Sequence, residues 1–235
     1  MKVEEAADAI AKFFNDLIGA WVPGAVLTVG LALMHLGPVQ LQSIFKLGDT
    51  TSAALTFAGV LFAIGHALLA LHDQILKKLL SKVGLAKPFD EAKAKTRKSY
   101  EWFVELVKAQ QAGAGAKDWG YNDLRSVALS VSAEAASTGR RFMFISLLCN
   151  GVGTALAILA LDFAACSLLS PKLLFIYANA APWSAQVLLL LGMALTLFKQ
   201  GDVFYNRAMA TPFSIAIAEL KFKKDANAGQ SPTTP

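Results

Sequence analysis

The chain has 235 residues, enough for one or two soluble domains, yet 55% are apolar and only 17% charged, short of the quarter expected in a water-soluble domain. The charges gather between long uncharged stretches, which excludes an ordinary soluble globule. The formal net charge of +5 lies wholly within residues 73–141, where thirteen Lys and Arg face eight Asp and Glu. No aromatic-interleaved basic motif accompanies that excess, so nucleic acid is not an expected partner.

The first sixteen residues carry Glu4, Glu5, Asp8 and Asp16, where a cleavable signal peptide would begin with a basic stretch. No such signal is expected. Ile10, Phe13, Phe14 and Leu17 recur at helical spacing, predicting an amphipathic helix over residues 1–16 at the cytoplasmic interface. Four apolar segments follow at 17–39, 53–71, 142–169 and 183–198, each near the roughly 20 residues that cross a hydrocarbon core as a helix. Only Asp162 interrupts them with a charge. A membrane leaves backbone polar groups no water, so these segments are helices or a closed barrel, and the period-two alternation of a barrel is missing. The expected fold class is therefore all-α: a polytopic helical membrane protein with four transmembrane helices and a helical cytoplasmic segment between the second and third.

Lys and Arg set the orientation. The amino-terminal tail, residues 72–141 and the carboxyl-terminal tail together hold twenty of the twenty-two, while Lys46 and Lys172 stand alone in the other two loops. The positive-inside rule then predicts an inner (plasma) membrane protein with both termini cytoplasmic. Residues 72–141 read as a basic helical module. The second span continues through Leu76, Leu79, Leu80 and Val83 until Pro88, a helix covers Asp90 to Gln111, and Ala112 to Gly120 forms a break. From about Asn122 a further helix leads through Arg140 and Arg141 into the third span. Between the last two spans, LLFIY at 173–177 lies bracketed by Pro171 and Pro182. Residues 199–235 form a cytoplasmic tail, with an interfacial helix from Pro212 to Phe222 and a disordered polar end.

Polar residues within apolar spans are costly and are the natural functional candidates. Counted from the helix ends at 1.5 Å per residue, His66 and Asn150 share one depth near the cytoplasmic side, and His35 and Asp162 share another near the outer side. Each pair could join neighbouring helices. Pro23 and Gly24 near the start of the first span predict a hinge. Small residues repeat at four-residue spacing, Ala20, Gly24, Thr28 and Ala32 on the first span and Gly59, Ala63 and Ala67 on the second, predicting close helix packing.

Metal, cofactor and catalytic signatures are lacking: no H-E-x-x-H, C-x-x-C, phosphate-cradling loop or nucleophile elbow occurs. His66 and His72 are six residues apart and point to different helix faces, while Cys149 and Cys166, seventeen apart on one helix, lie too far apart to form a disulfide. His72, Asp73 and Asp202 at the inner ends of spans two and four are the only grouping an enzyme could use. The leading expectation is a non-enzymatic inner-membrane anchor, sensor or effector that works with a cytoplasmic protein. The alternative is an oligomeric pore, transporter or membrane-permeabilising effector, as in antiviral defence. Expected partners are the lipid bilayer, anionic lipid at the cytoplasmic face, a cytoplasmic protein and, for a pore, further copies of the chain.

Overall fold

The computed structural model describes residues 3–46, 51–110, 119–175 and 182–228. Every regular element among them is helical: α1 (Val3–His35), α2 (Gly37–Lys46), α3 (Thr51–Leu71), a π-helical turn (His72–Leu76), α4 (Lys77–Lys82), α5 (Glu91–Lys95), α6 (Lys98–Gln110), α7 (Tyr121–Val131), α8 (Ala133–Leu169), a 3₁₀ turn (Pro171–Leu173) and α9 (Trp183–Ala228). Four helical stretches are long and apolar enough to cross a membrane: Ile18–His35, Thr51–Lys82, Ala133–Leu169 and Trp183–Lys221. Of the expected break at 112–120, residues 112–118 lie outside the described residues, as do 229–235 of the end expected to be disordered from 225, whose first four residues instead continue α9, and residues 176–177 of the LLFIY segment. So do the side chains expected to form an apolar face over 1–16. The chain divides into two compact units, one of residues 1–87 and 144–202, the other of residues 88–143 and 203–235.

In the first unit, α1 and α3 meet almost backbone to backbone. A Cβ on Gly24 would collide with the Leu61 carbonyl, and one on Gly65 with the Ala20 carbonyl. Each glycine therefore admits the other helix. Pro23 lies inside α1 and fully buried, its ring against Gly151 of α8. A second glycine on α8, Gly153, admits the ring of Phe198 from α9. Leu156, Leu159, Ala194 and Phe198 form the core between these segments, with Leu27, Leu31 and Leu76 packed around them.

The sequence places the small-residue contact on Gly59, Ala63 and Ala67, but all three are exposed. The buried face of α3 is instead Leu61, Gly65 and Leu68, extended by His72. Their spacing is that of a heptad seam, and this phase follows from where α1 can approach most closely. The first apolar helix also stops at His35, before the expected residue 39. Gly37 has φ +83° and Pro38 follows it, so the chain turns there.

The second unit has a different interior. Phe103, Tyr121, Leu124, Ala128, Phe213 and Ile217 form a closed core. Tyr100 stacks on Tyr121 with ring centroids 5.4 Å apart, and Phe213 meets Tyr100, Phe103 and Tyr121 edge-on at 5.2–5.5 Å. Removing such a ring from water contributes about 1.5–3 kcal/mol before the geometry of the pair is counted. α7 ends at Ser132, whose Oγ accepts from the Ala135 N–H at 3.0 Å and so caps α8. A single helix running from about residue 122 into the third span is therefore interrupted by one capped residue.

Pro212 does not begin a helix as the sequence suggests; it lies inside α9, which runs unbroken from Trp183 to Ala228. A proline within a helix deprives the carbonyl four residues earlier of its donor. Here that carbonyl belongs to Ala208, and Arg125 donates to it from both Nε (3.2 Å) and Nη2 (3.1 Å). The Tyr121 hydroxyl donates to the adjacent Met209 carbonyl at 3.1 Å. Arg125 thus replaces the donor that the proline removes, Tyr121 adds a second tie to the next carbonyl, and α9 continues.

Candidate functional site

Four intramembrane polar positions and one hinge were candidates on sequence, and the structure sorts them differently. His66 is exposed on α3, its ring edge-on to Phe62 at 4.4 Å. Asn150 is turned the other way: its Oδ1 is buried, lies against Gly201 and has no hydrogen-bond partner among the described residues. The two are not brought together. Their matching depth was correct arithmetic, but a uniformly apolar helix leaves its rotation undetermined, and α3 presents Gly65 rather than His66 to its neighbour. Around Asn150 the remaining polar groups of α8 are satisfied locally: Ser146 Oγ donates to the Gly201 carbonyl at 2.9 Å, and Thr154 Oγ1 to the Asn150 carbonyl at 2.8 Å.

His35 and Asp162 do meet. His35 is the last residue of α1, and Asp162 lies two turns before the end of α8. Nε2 of His35 is 2.7 Å from Oδ2 of Asp162, and both side chains are about 30% exposed. The other ring nitrogen, Nδ1, donates to the Leu173 carbonyl at 3.1 Å. That carbonyl is held in place because the chain after α8 folds back on the end of α1: the Phe175 N–H donates to the Met34 carbonyl at 2.8 Å, and the Phe175 ring lies over Gly37. A Cβ at position 37 would strike that ring. Gly37 therefore serves both the turn and the close approach.

Both nitrogens of His35 face oxygen, so two protons are held: one on Nδ1, one shared between Nε2 and the carboxylate. Cys166 completes the group. One helical turn beyond Asp162, its thiol donates to Oδ1 at 3.9 Å. His35, Asp162 and Cys166 offer donor atoms within 4.8 Å of one another. Cys166 and the Leu173 carbonyl were missed on sequence, although the Asp162-to-Cys166 spacing of four, which puts both on one helix face, was there to be read.

Pro23 and Gly24 are packed rather than free: the ring is wedged against Gly151 and the glycine against the Leu61 carbonyl. His72, Asp73 and Asp202 stay within electrostatic reach of one another, the two carboxylates acting on the imidazole. His72 is buried in the π turn beside Phe198, with ring centroids 5.2 Å apart. Asp73 is exposed, and Asp202 accepts the Lys87 N–H at 2.9 Å, tying down the segment after α4.

In the second unit Tyr121 is buried in the aromatic core and Arg125 lies half-buried beside it. Burial pushes the Tyr121 hydroxyl up to about 12, and burial lowers the Arg125 guanidinium from its ordinary value. Both serve backbone carbonyls of α9. Comparison of the chain with protein-family models, with curated proteins and with solved structures finds no match. The functional reading therefore rests on the chain's own chemistry.

Proposed function

We propose that the chain is a four-span helical membrane protein that carries a basic helical module on the cytoplasmic side, and that it acts there as a non-enzymatic anchor, sensor or effector for a protein partner. One observation carries this reading: the two units close their interiors by different chemistry. The first, which contains most of the four apolar helices, brings them into close contact at Gly24, Gly65, Gly151 and Gly153 around a mainly aliphatic core, as helices do where lipid supplies no hydrophobic force between them. The second closes over large aromatic rings, the economical solution in water. The second unit also leaves Trp102, Trp119 and Val131 exposed, apolar surface of the sort that protein contacts cover. Its buried Tyr121 and half-buried Arg125 are occupied with backbone carbonyls.

The pore reading has less support. His66 and Asn150 lie apart, and His35 and Asp162 hydrogen-bond to each other at one end of their helices.

Topology and partnership are tested separately. Reporter fusions after Lys117 and after Lys172 should read cytoplasmic and non-cytoplasmic respectively, and the reverse pattern would overturn the orientation. Purification in mild detergent should recover a cytoplasmic protein in stoichiometric amount; recovery of the chain alone would count against an anchor or sensor.

A further inference from the structure

The corner where α1 ends gathers three donors of three kinds, and the anchoring role proposed above makes no use of them. His35 Nε2, an Asp162 carboxylate oxygen and Cys166 Sγ lie within 4.8 Å of one another. Asp162 stands between the other two, with Oδ2 2.7 Å from the imidazole nitrogen and Oδ1 3.9 Å from the sulfur. We propose that these three side chains bind a divalent transition-metal ion of the zinc class, through Nε2, a carboxylate oxygen and the Cys166 thiolate.

The donor types choose the ion. Imidazole and thiolate suit zinc, cobalt and their neighbours, whereas magnesium and calcium demand oxygen. Metal–ligand bonds of about 2.0–2.3 Å in a tetrahedral site place donor atoms roughly 3.3–3.6 Å apart. The nitrogen–oxygen pair therefore opens by less than about 1 Å while the sulfur moves inward, a small adjustment for side chains at helix ends.

The surroundings fit a ligand histidine. A metal-binding imidazole commonly donates its second N–H to a backbone carbonyl, which fixes the tautomer and aims the free nitrogen. His35 Nδ1 does so to Leu173, in a segment pinned to α1 by the Phe175-to-Met34 hydrogen bond. Asp162 and Cys166, one turn apart on α8, are aligned before any ion arrives. Charge is balanced as well. On binding, the thiol proton and the proton shared by His35 and Asp162 leave to solvent, and a dication with one carboxylate and one thiolate is neutral overall. Neutrality matters where the dielectric is low. Three protein ligands with partly exposed side chains leave a fourth position for water or a small ligand.

The test uses the full-length protein in detergent, stripped with a chelator and titrated with Co²⁺. One equivalent should produce visible d–d bands and a near-ultraviolet thiolate-to-cobalt band, both erased by Zn²⁺. Cys166→Ser should lose the thiolate band, Cys149→Ser should keep it, and Asp162→Asn should weaken binding at least tenfold. Absence of the thiolate band from the wild-type protein, or its survival in Cys166→Ser, would overturn the site. A second readout does not depend on the cobalt spectrum. In a Cys149→Ser background, Zn²⁺ should slow maleimide modification of Cys166 at least tenfold, and an unchanged rate would also reject the proposal.

Discussion

Each unit of this molecule holds a proline inside a long helix, and the two handle it in opposite ways. In the first unit, Pro23 is absorbed by removing bulk: Gly151 makes room for its ring, and Gly24 and Gly65 let α1 and α3 come together at the backbone. In the second, Pro212 is accommodated by adding groups, with Arg125 and Tyr121 reaching from α7 to the carbonyls of Ala208 and Met209. Subtraction suits a medium in which apolar side chains gain nothing by leaving the solvent, so that close contact is the main attraction. Addition suits water, where aromatic burial supplies the driving force and a guanidinium can be carried inward if its donors are used.

Substitutions can break this comparison. The largest effect is expected from Phe213→Ala, which empties the centre of the aromatic cluster and should cost about 3–5 kcal/mol. Loss of near-ultraviolet circular dichroism on heating is the measurement. Gly65→Val should be nearly as damaging, about 1–3 kcal/mol or more, because the added atoms meet the Ala20 backbone rather than a side chain that can turn aside. Resistance to unfolding by denaturing detergent reports it. Gly59→Val is the matched control: nothing lies within 4 Å of a Cβ there, and the change should stay within about 0.5 kcal/mol.

Arg125→Met strands the Ala208 carbonyl and should cost about 1–3 kcal/mol. In a Pro212→Ala background the helix supplies its own donor to that carbonyl, so the same substitution should cost less. A double-mutant cycle measures the difference, and strict additivity would show that Arg125 does not compensate for the proline.

An effect confined to alkaline conditions is a pH dependence of the second unit. The folded state raises Tyr121 from an ordinary value of 10.0 to about 12 by burial, which favours the neutral phenol. The stability this contributes is complete below pH 10 and is lost as pH rises from there through about 12, because the unfolded chain ionises first. Thermal melts on either side of that window should show the fall, and Tyr121→Phe should flatten it.

Much of the architecture could be read before any coordinates. The uncharged stretches marked the four long helices, and equal depth along two of them put His35 beside Asp162. What could not be read was rotation and continuity. Leu, Ala, Phe and Ile surround α3 on every side, so periodicity could not decide between the seam through Gly65 and the stripe through Gly59, and His66 was assigned a partner it faces away from. Pro212 looked like the start of a helix because the signal for its continuation lies nearly ninety residues earlier, in Tyr121 and Arg125. The corner at His35 was half legible: its ion pair followed from depth, while Cys166 required attention to helical phase, and the Leu173 carbonyl depends on how the chain folds back after α8.

The four tryptophans allow the central claim to be tested in one experiment. Trp21 and Trp183 belong to the first unit and Trp102 and Trp119 to the second, and all four are partly exposed. In single-tryptophan variants reconstituted into vesicles, brominated lipid should quench Trp21 and Trp183, and aqueous iodide should quench Trp102 and Trp119. Equal quenching of all four by the brominated lipid, or quenching of none, would contradict the account of one unit packed for lipid and one packed for water.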